Sequence, residues 1–186
     1  KGNTAYGSIV GARTYYHRTL IQVDEDQFDA AAQLRGAFPD SVMEDMLIWN
    51  SNDGYLANYT VDTIFRNFTI VNAADQPGQS GYDATNVYNR GRHTYENFDV
   101  EGFATGLIPS RNGVIAINGG RFSNGHDIEI QEARQSHRQL SINDTIDFVD
   151  GDGIQGEDGF IPRQNIVMRA DPRAIPDSTQ DWYLLK

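Results

Sequence analysis

The apolar positions of this chain change phase at Asn67. Phe65 lies two residues before it, while Phe68 and Ile70 lie one and three residues after it. Residues two apart share a face of a strand and residues three apart do not. The backbone must therefore turn at Asn67 to keep Phe65, Phe68 and Ile70 on one side. A corner made by a single residue calls for the left-handed backbone region, which Asn, Asp and Gly enter most readily. The same arrangement returns at Tyr95, Asn97, Phe98 and Val100, and again at Ile117, Gly119 and Phe122. A looser copy has Ile142 and Asp144, after which the register slips by one residue before Phe148. Four corner stations follow: Asn67, Asn97, Gly119 and Asp144.

Repeats of 20 to 50 residues, each carrying one turn unit, are the mark of a solenoid. Strands joined by sharp corners, with no helix between them, point to an all-β chain wound as a parallel β-helix. Each coil then stacks about 4.8 Å from the last. Asn67 and Asn97 are expected to form a ladder of side-chain amides at a buried corner, with Gly119 and Asp144 at the same station. The alternative is a β-sandwich whose strands resemble one another by chance.

Elsewhere the pattern is less regular. Ala12 to Val23 reads as a strand or two, and Asp26 to Arg35 as a short helix with Phe28, Ala31, Ala32 and Leu34 as its apolar stripe. Asp24 and Asp26 are its candidate caps, and Gly36 and Pro39 end it. A further turn before a strand at Met46 to Trp49 is expected, and another strand at Gln164 to Ala170. Residues 1–57 form an N-terminal segment that caps the solenoid or is part of it. Residues 58–186 hold the coils, five to seven in all, and are expected to continue beyond the chain ends. Asp75 to Gly81 is a turn-rich excursion that lengthens one repeat.

The stretch from about Asn58 to Phe148 resembles the right-handed parallel β-helix superfamily, whose best-known members are pectate-lyase-like proteins. The run "YENFDVEGFATGLIPSRNGVIAINGGRFSNGHDIEI" (Tyr95 to Ile130) is similar to β-helix segments of large bacterial secreted proteins, some of which also carry G8 domains. The resemblance covers about half the chain. It implies a right-handed winding and a secreted or cell-surface setting. Its motifs are architectural and specify fold better than chemistry.

Composition narrows the partners. The 186 residues carry 15 Lys and Arg against 26 Asp and Glu, a net charge of −11. A phosphate backbone needs a basic face, so nucleic acid is excluded, as is an anionic membrane surface. No apolar run approaches the length of a membrane helix, so no insertion is expected. The absence of cysteine removes disulfides and thiolate metal sites.

Three sets of residues are candidates for chemistry. Asp150, Asp152, Glu157 and Asp158 form a Gly-rich acidic loop that could ligate Ca2+, although its spacing departs from the EF-hand pattern. A solvated turn is the competing reading. "SNGHDIEI" resembles the Gly-His-Gly element of polygalacturonase-type glycoside hydrolases, with Asp127 in place of the second glycine after His126. The paired aspartates of that family are missing from neighbouring motifs, and hydrolysis of this kind needs two carboxyls. Arg92, His93 and Tyr95 are the basic and phenolic set that a lyase acting on uronic acids would need, a base and a cation. Tyr6, Tyr15, Tyr16, Tyr55, Tyr59, Tyr82 and Tyr88 are free to stack on sugar rings. The reading that results is a non-catalytic, rigid segment of a large extracellular or cell-surface bacterial protein. Its partners are polysaccharide and neighbouring domains or further copies of the chain. The alternative is a polysaccharide lyase or glycoside hydrolase acting on acidic glycans.

Overall fold

A computed structural model describes residues 2–15, 40–73, 77–85, 89–131, 138–142, 146–149, 153–156, 159–162 and 164–169. The expected helix at Asp26–Arg35 lies outside them, as does corner residue Asp144. The described residues form strands and connections, with no helix. The strands are β1 (Thr4–Tyr6), β2 (Val10–Tyr15), β3 (Ser41–Trp49), β4 (Asp53–Asn58), β5 (Val61–Val71), β6 (Gly78–Asp83), β7 (Arg90–Glu101), β8 (Phe103–Ile108), β9 (Gly113–Ser123), β10 (His126–Gln131), β11 (Arg138–Ile142), β12 (Ile146–Phe148), β13 (Gly153–Gly156), β14 (Gly159–Pro162) and β15 (Gln164–Arg169).

Two sheets hold nearly all of them. Sheet A runs β1-β3-β5-β7-β9-β11, with β12 also paired to β9, and sheet B runs β15-β10-β8-β6-β4-β2. Every pairing in both is parallel. Hairpin-connected strands pair antiparallel, so a sandwich of hairpins is excluded. Among the described residues one pair is antiparallel, β13 with β14, which forms a two-stranded sheet of its own. From β1 to β10 the chain alternates between the sheets, and both sheets pass residue 57 without interruption.

Registers carry the sequence repeat into space. Met43 pairs with Phe65, Phe65 with Tyr95, Tyr95 with Ile117, and Ile117 with Ile142. Beyond the corner, Ile48, Ile70, Val100, Phe122 and Phe148 form a second row. The final rung slips as expected: Ile142 is 25 residues beyond its partner Ile117, and Phe148 is 26 beyond Phe122. Asp45, Asn67, Asn97 and Gly119 adopt φ of 58°, 55°, 52° and 67°. Asp45 belongs to an earlier rung, where strand β3 replaces the turn expected ahead of Met46.

The ladder exists, but at an exposed corner and not a buried one. Asn97 Nδ2 donates to Asn67 Oδ1 at 3.4 Å, and Asn67 Nδ2 donates to Asp45 Oδ1 at 3.1 Å. A left-handed residue here puts its own side chain outside while both neighbouring apolar side chains turn in. Asn67 and Asn97 are therefore exposed, beside fully buried Phe68 and Phe98.

Like side chains stack from rung to rung in the core between the sheets. Phe68 lies over Phe98 at 5.1 Å and Phe65 over Tyr95 at 5.7 Å, both nearly coplanar. From sheet B, Tyr55 lies over Tyr82 at 5.3 Å. Offset-stacked rings at these separations add to the area term of burial.

Sheet B has its own repeat. Gly54-Tyr55-Leu56-Ala57 and Gly81-Tyr82-Asp83-Ala84 occupy adjacent rungs, with Gly106 on the next. A Cβ on Gly54 would run into the Gly81 carbonyl, and one on Gly81 would stand 2.6 Å from that of Gly106. Only glycine lets the rungs close at this column.

Candidate functional site

The lyase-like set is part of the wall. His93 is 1% exposed and pairs with Thr63 below and Ile115 above. Its position two residues before Tyr95 puts it on the same inward row. Its Nε2 lies 3.1 Å from the Thr60 carbonyl, and its ring meets Phe65 and Tyr95 edge to face. Burial pushes its pKa down to about 4, against smaller upward pulls from the Thr60 carbonyl and Asp62. Tyr95 is fully buried, and its hydroxyl accepts the Ser110 N–H at 3.1 Å. Arg92 points away from both, in an ion pair with Asp40 at 2.9 Å. The structure therefore buries His93 and Tyr95 side by side in the wall and puts Arg92, the cation that a lyase would need with them, on the outer face.

His126 and Asp127 are likewise divided. Asp127 is fully buried and caps the turn before β10: its Oδ1 accepts the Asn124 N–H at 2.8 Å. The Asn124 side chain in turn donates to the Val100 carbonyl at 2.9 Å and accepts the Phe103 N–H at 3.1 Å. His126, half-buried, sits between Thr105 and Gln164. The calcium candidates Asp150, Asp152, Glu157 and Asp158 lie outside the described residues, among which no group of three or more His, Asp or Glu is arranged to hold a metal.

Of the tyrosines expected to be free, Tyr55 and Tyr82 are core residues, and burial raises Tyr55 to about 12 and Tyr82 well above its ordinary value. Tyr16 and Tyr88 lie outside the described residues. Exposed aromatics remain at the end of sheet A formed by β1 and β3. Tyr6 is 68% and Trp49 48% exposed, neighbours in register with ring centroids 5.5 Å apart. Leu47, 42% exposed, stands on the same face two residues before Trp49. Farther along this face, Arg121 bridges Glu101 at 2.8 Å and Asp99 at 3.3 Å.

Sheet B carries an acidic group that sequence reading missed. Tyr82 points inward, so Asp83 points out. Asp83 pairs with Ile108, and Glu129 stands beside Ile108 in the next rung. Two rungs separate the two carboxyl-bearing residues, about 10 Å along the sheet. The Asp83 pKa is raised, first by burial and then by the charges of Asp53 and Glu129, against hydrogen bonds from Thr85 that lower it. Glu129 is buried, and its Oε1 accepts from Gln131 Nε2 at 2.9 Å. Strand β13 passes against β8. These acids are 30 and 46 residues apart in sequence, so no local motif joins them. The shared Gly-Tyr-X-Ala signal of β4 and β6 is the cue that could have put Asp83 on the outer row.

Compared with known protein families, characterised proteins and solved structures, the chain has no match. No helix among the described residues is long and apolar enough to cross a membrane.

Proposed function

We propose that this chain is a segment of a right-handed parallel β-helix of about five to seven coils. It serves a large secreted or cell-surface bacterial protein as a rigid, non-catalytic scaffold that contacts polysaccharide. The parallel, alternating sheets support the winding. The observation that carries the scaffold reading is the use of His93, Tyr95 and Asp127 as wall and turn residues, each buried and hydrogen-bonded within the fold. The Tyr6–Trp49 pair supports the contact with polysaccharide. Aromatic rings kept in solvent carry apolar area that a sugar face can cover. The test is retention on insoluble polysaccharides of the intact chain and of Tyr6→Ala and Trp49→Ala. The reading expects binding that both substitutions weaken by tenfold or more, and equal retention of all three proteins would overturn it.

A second reading, a polysaccharide-cleaving enzyme, is favoured by Asp83. A carboxyl whose pKa is raised by burial and neighbouring acids is the kind of group that donates a proton to a leaving sugar oxygen. Glu129 lies two rungs away on the same row, a strand spacing of about 10 Å, near the carboxyl spacing of inverting glycosidases. On this reading the chain releases reducing ends from acidic glycans, and Asp83→Asn and Glu129→Gln each abolish release. No release by the unaltered chain would remove it.

A further inference from the structure

We propose that His93 is an acid-sensitive latch on the corner that leads from sheet B into sheet A. The corner is strained and clamped. Tyr59 and Asp62, neither of them glycine, adopt φ of 56° and 45° on either side of Thr60 and Val61. Two side chains from the next rung hold it down. Asn89 Oδ1 accepts the Thr60 N–H at 2.8 Å and the Thr60 hydroxyl at 3.1 Å, while its Nδ2 donates to the carbonyls of Ala57 and Ala84 at 2.6 Å and 2.8 Å. His93 Nε2 reaches the Thr60 carbonyl. A carbonyl only accepts, so Nε2 carries the proton of the neutral ring and Nδ1 is bare.

Nδ1 is buried and has no hydrogen-bond partner. Around the ring stand Phe65 and Thr63 of β5, Tyr95 of its own strand and Ile115 of β9. Asp62 is the charged group that acts on it, and Asp62 Oδ1 accepts the Arg92 N–H. Arg92 itself pairs with Asp40. A second proton would create a cation in an aromatic bore with a donor and no acceptor. Desolvation outweighs the attraction of Asp62, so protonation expels the ring, frees the Thr60 carbonyl and lets the strained corner open.

The folded ring is neutral, and the unfolded chain binds a proton near the ordinary histidine value. Stability from His93 is therefore full above about pH 6.5 and is lost as the pH falls toward 4. With a folded value of about 4, the folding constant drops about 30-fold between pH 7.5 and pH 5 from this residue alone. Urea unfolding of the intact chain and of His93→Gln, at both pH values, reads that difference. His93→Gln keeps a donor for Thr60 and cannot titrate. Acids and the other three histidines contribute equally to both proteins and cancel. The latch expects the native chain to lose about 30-fold more than the variant, and the same loss in both would overturn it. Should the variant not fold, amide exchange in the native chain decides. A Thr60 protection factor that falls by up to the same factor supports the latch, and one unchanged between the two pH values sinks it.

Discussion

The side-chain amide of Asn97 donates to that of Asn67 across 30 residues of sequence. Both residues are left-handed at a corner whose neighbours, Phe68 and Phe98, stack in the core. Backbone conformation and ladder make separate demands, and substitutions tell them apart. Asn67→Gly keeps the conformation and loses only exposed hydrogen bonds, so it should cost under about 1 kcal/mol. Asn67→Ala loses both and should cost about 1–2 kcal/mol. Urea unfolding at neutral pH checks the order.

The Gly54, Gly81 and Gly106 column makes a sharper prediction. In Gly81→Ala the new methyl group meets Val100 in the core and the Gly106 carbonyl on the next rung. Neither neighbour is the far end of a flexible side chain, so the sheet must shift. A loss of about 1–3 kcal/mol is expected from overpacking. Ala57→Gly, at a buried position one strand residue past Leu56, tests whether any small change in sheet B does the same. It should cost about 1 kcal/mol through backbone entropy and a lost methyl group.

Asn89 is the most heavily engaged polar side chain of the corner. Asn89→Ala strands the Thr60 N–H and two buried carbonyls, and a loss of about 3–4 kcal/mol is expected. Asn89→Asp keeps the acceptor for Thr60 but turns a carboxylate oxygen toward the carbonyls of Ala57 and Ala84, so it should be no better than Ala. Thermal unfolding of the three proteins under one buffer measures this.

Asp83 predicts a pH-dependent gain. Its folded pKa is raised, so ionising it in place costs stability, and that cost appears above the ordinary carboxyl value and is full above the folded one. Asp83→Asn should therefore melt higher than the native chain at pH 7, and the gap should close as the pH falls through the acid range. A gap that stays constant with pH would mean that charge is not the cause.

Sheet A was legible because its corners demand rare backbone conformations, and few residue types meet that demand. Asn67, Asn97 and Gly119 stand out for this reason, and the stations on either side follow from alternation. The rung at Asp45 was hidden because Met43 and Met46 fill the aromatic stations. Methionine fits an irregular core gap without announcing a pattern. The sheet B repeat was hidden because only the rungs at Gly54 and Gly81 keep the Gly-Tyr-X-Ala pattern, while Gly106 is followed by Leu107. His93 invited a catalytic reading as one of a basic cluster, yet its parity with Tyr95 turns it inward. The acidic pair Asp83 and Glu129 depends on stacking across rungs, which only the register reveals. A composition rich in Tyr says nothing of which rings are covered: Tyr82 is buried and Tyr6 is not.

The central claim is that successive strands of sheet A lie one directly above the next, in the register that pairs Thr69 with Asp99 and Asp99 with Arg121. The chain has no cysteine, so any disulfide introduced is unambiguous. Neighbouring rungs put Cα atoms about 4.8 Å apart, within disulfide reach, and rungs two apart place them about 10 Å apart, outside it. Mild oxidation should crosslink Thr69→Cys/Asp99→Cys and leave Thr69→Cys/Arg121→Cys as free thiols. A crosslink in the second pair, or none in the first, would contradict the stacking.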